Sequence, residues 1–126
     1  MKKFKSITTL PSNHVFVFSS NLLGMHTSGN AAHALKYFSA VHGEAEGPQG
    51  QAYAIPTKDE EFNSLPLYLI AKAVERFLSY AYAHPSTIFY VSSMGTNSSH
   101  HTLAEFDALF STKTENVRLS WKMPTE

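Results

Sequence analysis

The run Ser19-Ser20-Asn21-Leu22-Leu23-Gly24-Met25-His26-Thr27-Ser28-Gly29-Asn30 brings two glycines together with hydroxyl and amide side chains and one histidine. Glycine lets the backbone approach a ligand closely and take up positive φ. Where such a run leads straight into a helix, its amides and the helix N-terminus can hold a phosphate without any lysine or arginine. His26 lies inside the run, where an imidazole can donate to a phosphate or a ribose, or bond to a nearby carbonyl instead. The competing reading is a plain strand-to-helix connection with a Ser or Asn cap. A second polar run, from Met94 to His101, contains Gly95, Thr96, Asn97, Ser98 and Ser99.

Other chemistries lack their motifs. There is no G-x-x-x-x-G-K-[ST] and no G-x-G-x-x-G, so neither the triphosphate P-loop nor the dinucleotide fingerprint is present. The absence of G-x-S-x-G weighs against a serine hydrolase. Histidines stand at 14, 26, 33, 42, 84, 100 and 101, and no pair has the i, i+4 spacing of helical metal ligands. With 0 cysteines there is no thiolate metal site and no cysteine nucleophile. Neither a metal nor a cofactor is expected. His100 and His101 are neighbours in a polar run, where solvent exposure explains them. Gln49, Gln51, Tyr53, Thr57, Lys58 and Asp59 surround a short apolar stretch with hydrogen-bonding groups. Tyr53 there reads as core packing, and Lys58 beside Asp59 as a local surface pair.

The elements that must position these runs follow from apolar patterning. Val15-Phe16-Val17-Phe18 and Ile88-Phe89-Tyr90-Val91 are apolar without alternation, as strands buried on both faces are. They are expected as inner parallel strands whose following loops face one cleft. Ala31 to Phe38 favours helix, Ala52 to Ile55 reads as a short strand ended by Pro56, and the stretch between them reads as loop. From Pro66, apolar Leu69, Ile70, Ala73, Val74, Phe77, Leu78 and Ala81 recur at three and four, with Lys72, Glu75 and Arg76 on the other face. Leu103 to Phe110 reads as helical, and Val117 to Trp121 as a last strand. Alternating strands and helices predict an α/β layer sheet with crossovers, in which ligands gather outside the carboxyl ends of the strands.

The chain has 126 residues, the size of one domain, so residues 1–126 are expected to form a single unit. Ten basic residues balance ten acidic ones, which leaves no field for gripping a nucleic-acid backbone, and no general nucleic-acid binding is expected. Lys2, Lys3 and Lys5 open the chain without the apolar run of a secretory signal, and no stretch approaches a membrane span. A cytoplasmic protein that makes no membrane contact is the expectation. The aromatic surplus, including Tyr37, Phe38, Tyr80, Tyr82 and Phe89, fits a core and a contact with a protein partner or a second copy.

Val15 to His26 with Gly29 and Ala31-Ala32, followed by Gly43-Glu44-Ala45-Glu46-Gly47-Pro48-Gln49-Gly50-Gln51-Ala52-Tyr53-Ala54-Ile55-Pro56-Thr57-Lys58-Asp59, resembles a family of small bacterial and phage proteins related to the macro domains. The resemblance runs from about Val15 to Phe110. It implies a three-layer α/β/α macro-domain-like sheet with helices on both faces, and a ligand of the ADP-ribose class. It places Asn21 near the distal ribose, Gly24 to Gly29 at the first diphosphate loop, and Met94 to His100 at the second phosphate loop. The chain departs from the family pattern at Ser19 and Thr27, usually glycine, and at Asn30, usually small and apolar. It also departs at Gly95 to His100, which replaces a glycine-rich run, and no aspartate ahead of Pro11 matches the one with which macro domains read adenine.

Three functions follow as expectations. The first is a binding module for ADP-ribose or a related NAD-derived nucleotide, sequestering a signal molecule, with Asn21, Gly24, His26, Thr27, Gly29 and Gly95 to Ser99 around the ligand. The second is a hydrolase that removes ADP-ribose, with Asn21 orienting a water, although the run from Ser19 to Asn30 holds no carboxylate. The third is a macro-like fold without a ligand that serves as a protein-interaction module.

Overall fold

Consecutive β-branched and aromatic residues favour extended backbone, and the strands form where such runs occur. The computed structural model describes residues 7–94 and 100–123. Its elements run β1 (His14–Asn21), α1 (Gly29–Tyr37), β2 (Gly47–Gln49), β3 (Ala52–Lys58), α2 (Leu67–Tyr82), β4 (Ile88–Val91), α3 (Leu103–Leu109) and β5 (Val117–Leu119). The strands make one sheet in the order β2-β3-β1-β4-β5. β1 is parallel to β3 and β4, β4 is parallel to β5, and β2 is antiparallel to β3, so the sheet is mixed.

β1 and β4 are inner parallel strands because both of their faces are covered. Phe16 and Phe18 point into a cluster with Ala31, Ala34 and Phe38 on one side, while Val17 joins Ile70, Val74, Phe77 and Phe106 on the other. α1 therefore packs on one face and α2 with α3 on the opposite face. Each fully buried Phe or Ile side chain contributes about 1.5–3 kcal/mol of transfer free energy, and these two clusters hold the layers together. α2 buries Ile70, Ala73, Val74, Phe77 and Ala81, the stripe that spacing at three and four requires. α3 starts at a capping box, with Thr102 Oγ1 accepting from the Glu105 amide and Glu105 reaching back to the Thr102 amide. Among the described residues, no helix is long and apolar enough to cross a membrane.

Three elements differ from the expectation drawn from sequence. β3 does not stop at Pro56 but continues to Lys58. β2 pairs only with Ala52 to Ala54, so Pro56 lies beyond its end and its missing donor interrupts no ladder on that side. β2 itself, Gly-Pro-Gln, falls in a stretch that reads as loop from sequence; it is too short and polar to carry a strand signal. At the other edge β5 ends at Leu119, and Ser120–Lys122 forms a 3₁₀ turn that lets Trp121 Nε1 donate to Asp107 Oδ1 at 2.8 Å.

The connections decide where a ligand can lie. The helix after β1 goes to one face, whereas the helices after its neighbours β3 and β4 go to the other. The chains leaving the carboxyl ends of these strands diverge, and a crevice opens between them.

Candidate functional site

A cleft of about 540 Å³ lies at that place. Its floor is the end of β1, from Ser19 to Asn21, and the end of β3, Thr57 and Lys58. Its walls are Met25, Thr27 to Ala31, Phe62 and Ser93. The β1–β3 register slips at this floor: Ser20 pairs with Pro56 but Asn21 pairs with Lys58, leaving Thr57 as an extra residue. Bulges of this type bend the strand and re-aim its side chains.

The start of α1 forms one wall. Ser28 is extended, at φ −151° and ψ 164°, and its side chain makes no capping bond. Ala32 is the first amide with a helical acceptor, Ser28 O at 3.2 Å. The amides of Gly29, Asn30 and Ala31 precede it, and the first turn carries no acidic residue to neutralise them. Gly29 has φ +59°, and nothing lies within 4 Å of where a Cβ would stand, so its backbone is open to a ligand. Asn30 Nδ2 donates to Ser93 O at 3.2 Å and ties this end of α1 to the chain leaving β4. Lys58 lines the same space and adds a cation to it. Among the described residues, no Asp, Glu or His lines the cleft.

Of the residues singled out from sequence, Asn21, Thr27 and Gly29 come together here. Asn21 is largely buried, and its carboxamide clamps the following turn. Nδ2 donates to Met25 O at 2.9 Å, and Oδ1 accepts from the Met25 amide at 3.0 Å. One N–H and one lone pair of that carboxamide stay available to a ligand.

Gly24 and His26 do not line the cleft. Gly24, at φ +72°, lies against the Gly43 turn, where an added Cβ would stand 2.5 Å from the Gly43 carbonyl carbon. The Gly43 amide donates to Gly24 O at 2.7 Å. His26 is turned into the interior, 1% exposed, with its ring edge-on to Phe18 and Nε2 3.1 Å from Gln49 Oε1. The expectation that it reaches a phosphate or ribose is corrected: it braces β2 against the loop after β1. Gly95, Thr96, Asn97, Ser98 and Ser99 lie outside the described residues.

His101 is also corrected, since it is not a solvent-exposed neighbour of His100. Its Nε2 meets Leu65 O at 2.8 Å and joins the start of α3 to the start of α2. Tyr53 is core, as expected, 4% exposed, with its phenol pushed up to about 12 by burial and then by the Glu46 carboxylate. Among the described residues, no group of three or more His, Cys, Asp or Glu could hold a metal ion.

Sequence reasoning missed Phe62, Asn30 and Ser93 as cleft residues. Asn30 carried a signal as the first polar residue inside a helix that faces a strand end. Phe62 carried only its place in the polar stretch from Asp59 to Ser64, where an aromatic has no core to enter. No protein-family model, no curated protein and no solved structure matches this chain.

Proposed function

We propose that the protein is a binding module for ADP-ribose or a related NAD-derived nucleotide, which it holds without turning it over. The observation that carries this reading is the cleft that the first amides of α1, Lys58 and the polar residues Asn21 and Thr27 line together. A diphosphate fits the amides of Gly29, Asn30 and Ala31 because a helix N-terminus favours negative charge and these donors need acceptors. Ribose hydroxyls fit the remaining donor and acceptor of Asn21 and the hydroxyl of Thr27. The resemblance to macro-domain relatives points to the same ligand class.

The lining supports binding over hydrolysis. Removing ADP-ribose from a target calls for a positioned acid or base within hydrogen-bond reach, and the described lining offers none. Sequestration of a signal nucleotide is the function that such a cleft suits. A second reading has one observation in its favour. Leu22, Leu23 and Met25 are exposed beside the cleft, as a surface for a protein partner would be.

Thermal melting with ADP-ribose, NAD and cyclic ADP-ribose separates these readings. A ligand at a hundredfold excess over its Kd adds about 2.7 kcal/mol to stability, and a clear rise in melting temperature is expected with at least one of the three. No shift with any of them would overturn the nucleotide reading and favour the protein-interaction one.

A further inference from the structure

We propose that Phe62 is the face on which the base of the bound nucleotide stacks; this rests on the nucleotide reading of the cleft and adds to it the recognition of the base. Only two non-glycine residues among those described have positive φ, Ser39 at 62° and Phe62 at 65°. L side chains disfavour that conformation, so each calls for a reason. Ser39 has one in packing, because it lies so close to Gly50 that a Cβ there would meet it at 2.4 Å. Phe62 has one in the turn that it closes from Asp59, not in packing, for its ring joins neither core cluster and is 49% exposed.

The loop nevertheless fixes it. The Phe62 amide donates to Asp59 O at 3.1 Å, the Asp59 amide donates to Asn63 O at 2.8 Å, and Asp59 Oδ1 accepts from the amides of Glu61 at 2.9 Å and Asn63 at 3.0 Å. This network holds an apolar ring out of the core and on the wall of the cleft. A ligand that fills the cleft therefore meets both the backbone amides of Gly29 to Ala31 and an aromatic ring. A molecule with an anionic group and a flat π-face matches both, and a nucleotide has them on one scaffold. Stacking on an aromatic side chain is tolerant of base identity, so Phe62 supplies affinity for a base without choosing among bases.

The test compares ADP-ribose with ribose 5-phosphate, which lacks the base, on the full chain and on Phe62→Gly, Phe62→Ala and Phe62→Trp, with affinities read by calorimetry and ligand-observed NMR. Phe62→Gly and Phe62→Ala should weaken ADP-ribose about five- to hundredfold and leave ribose 5-phosphate unchanged. Phe62→Trp should retain ADP-ribose. Phe62→Gly should melt no lower than the wild type, because glycine accepts the positive φ, which separates lost stacking from lost folding. Equal ADP-ribose affinity in the wild type and Phe62→Gly, or an equal loss for both compounds, would overturn the stacking role while leaving the nucleotide cleft in place. Failure of the wild type to bind either compound would overturn both.

Discussion

Two loops leave the carboxyl ends of adjacent strands at the same cleft and use their side chains in opposite ways. After β1, the groups that look most able to bind a ligand turn inward or brace the chain. Asn21 clamps Met25, His26 meets Gln49, and Gly24 gives room to the Gly43 turn. After β3, a carboxylate that looks like a surface charge organises the loop, and it holds an aromatic ring outward. The lesson is that polarity of type does not predict service to a ligand. On the proposed reading, the anionic group of the ligand is left to the backbone amides that follow the first loop, and its base to a residue of the second loop with no polar atom.

The largest effect that would break this contrast is at Gly24. Gly24→Ala places a Cβ against the Gly43 backbone at a φ that L residues disfavour, so stability should fall by about 2–4 kcal/mol in urea denaturation. An unchanged midpoint would show that the two loops are not close-packed there. Asn21→Ala comes next. From sequence, this substitution is expected to weaken binding with little cost to folding. Geometry reverses the emphasis, since two bonds to Met25 disappear and stability should fall by about 1–2 kcal/mol. A melting temperature equal to the wild type with lowered ADP-ribose affinity would return Asn21 to the ligand.

The smallest effect concerns pH. Burial, with the Glu46 carboxylate, raises the Tyr53 phenol from 10.0 to about 12, so the folded protein favours its neutral form. The unfolded chain ionises near the ordinary value, so this contribution is complete below about pH 10 and is lost as pH rises through the folded value. Melting curves across that window should fall more steeply for the wild type than for Tyr53→Phe. Parallel curves would show that Tyr53 is not held neutral by the fold.

Apolar patterning made β1, β4 and α2 legible, because a strand covered on both faces and a helix covered on one leave different periodicities. The α/β layering with helices on both faces was legible too, from the alternation of strands and helices. β2 and the last turn of β3 were not. A three-residue antiparallel strand is fixed by its neighbour, and Pro56 is tolerated only because β2 ends before it. The burial of His26 was hidden because its partner Gln49 is distant in sequence and belongs to that illegible strand. Phe62 escaped notice because its meaning lies in a backbone angle and a hydrogen-bonded loop, neither of which composition reports.

The central claim is that the open amides of Gly29, Asn30 and Ala31 hold the anionic part of the ligand. Calorimetric titration of ADP-ribose into the wild type and Ser28→Asp tests it most directly, because a carboxylate at the N-cap would occupy those amides itself. Ser28→Asp should gain up to about 1 kcal/mol of stability from capping and the helix dipole. Its ADP-ribose affinity should drop at least about tenfold, equivalent to 1.4 kcal/mol. A variant that is more stable yet binds ADP-ribose as tightly as the wild type would contradict the account.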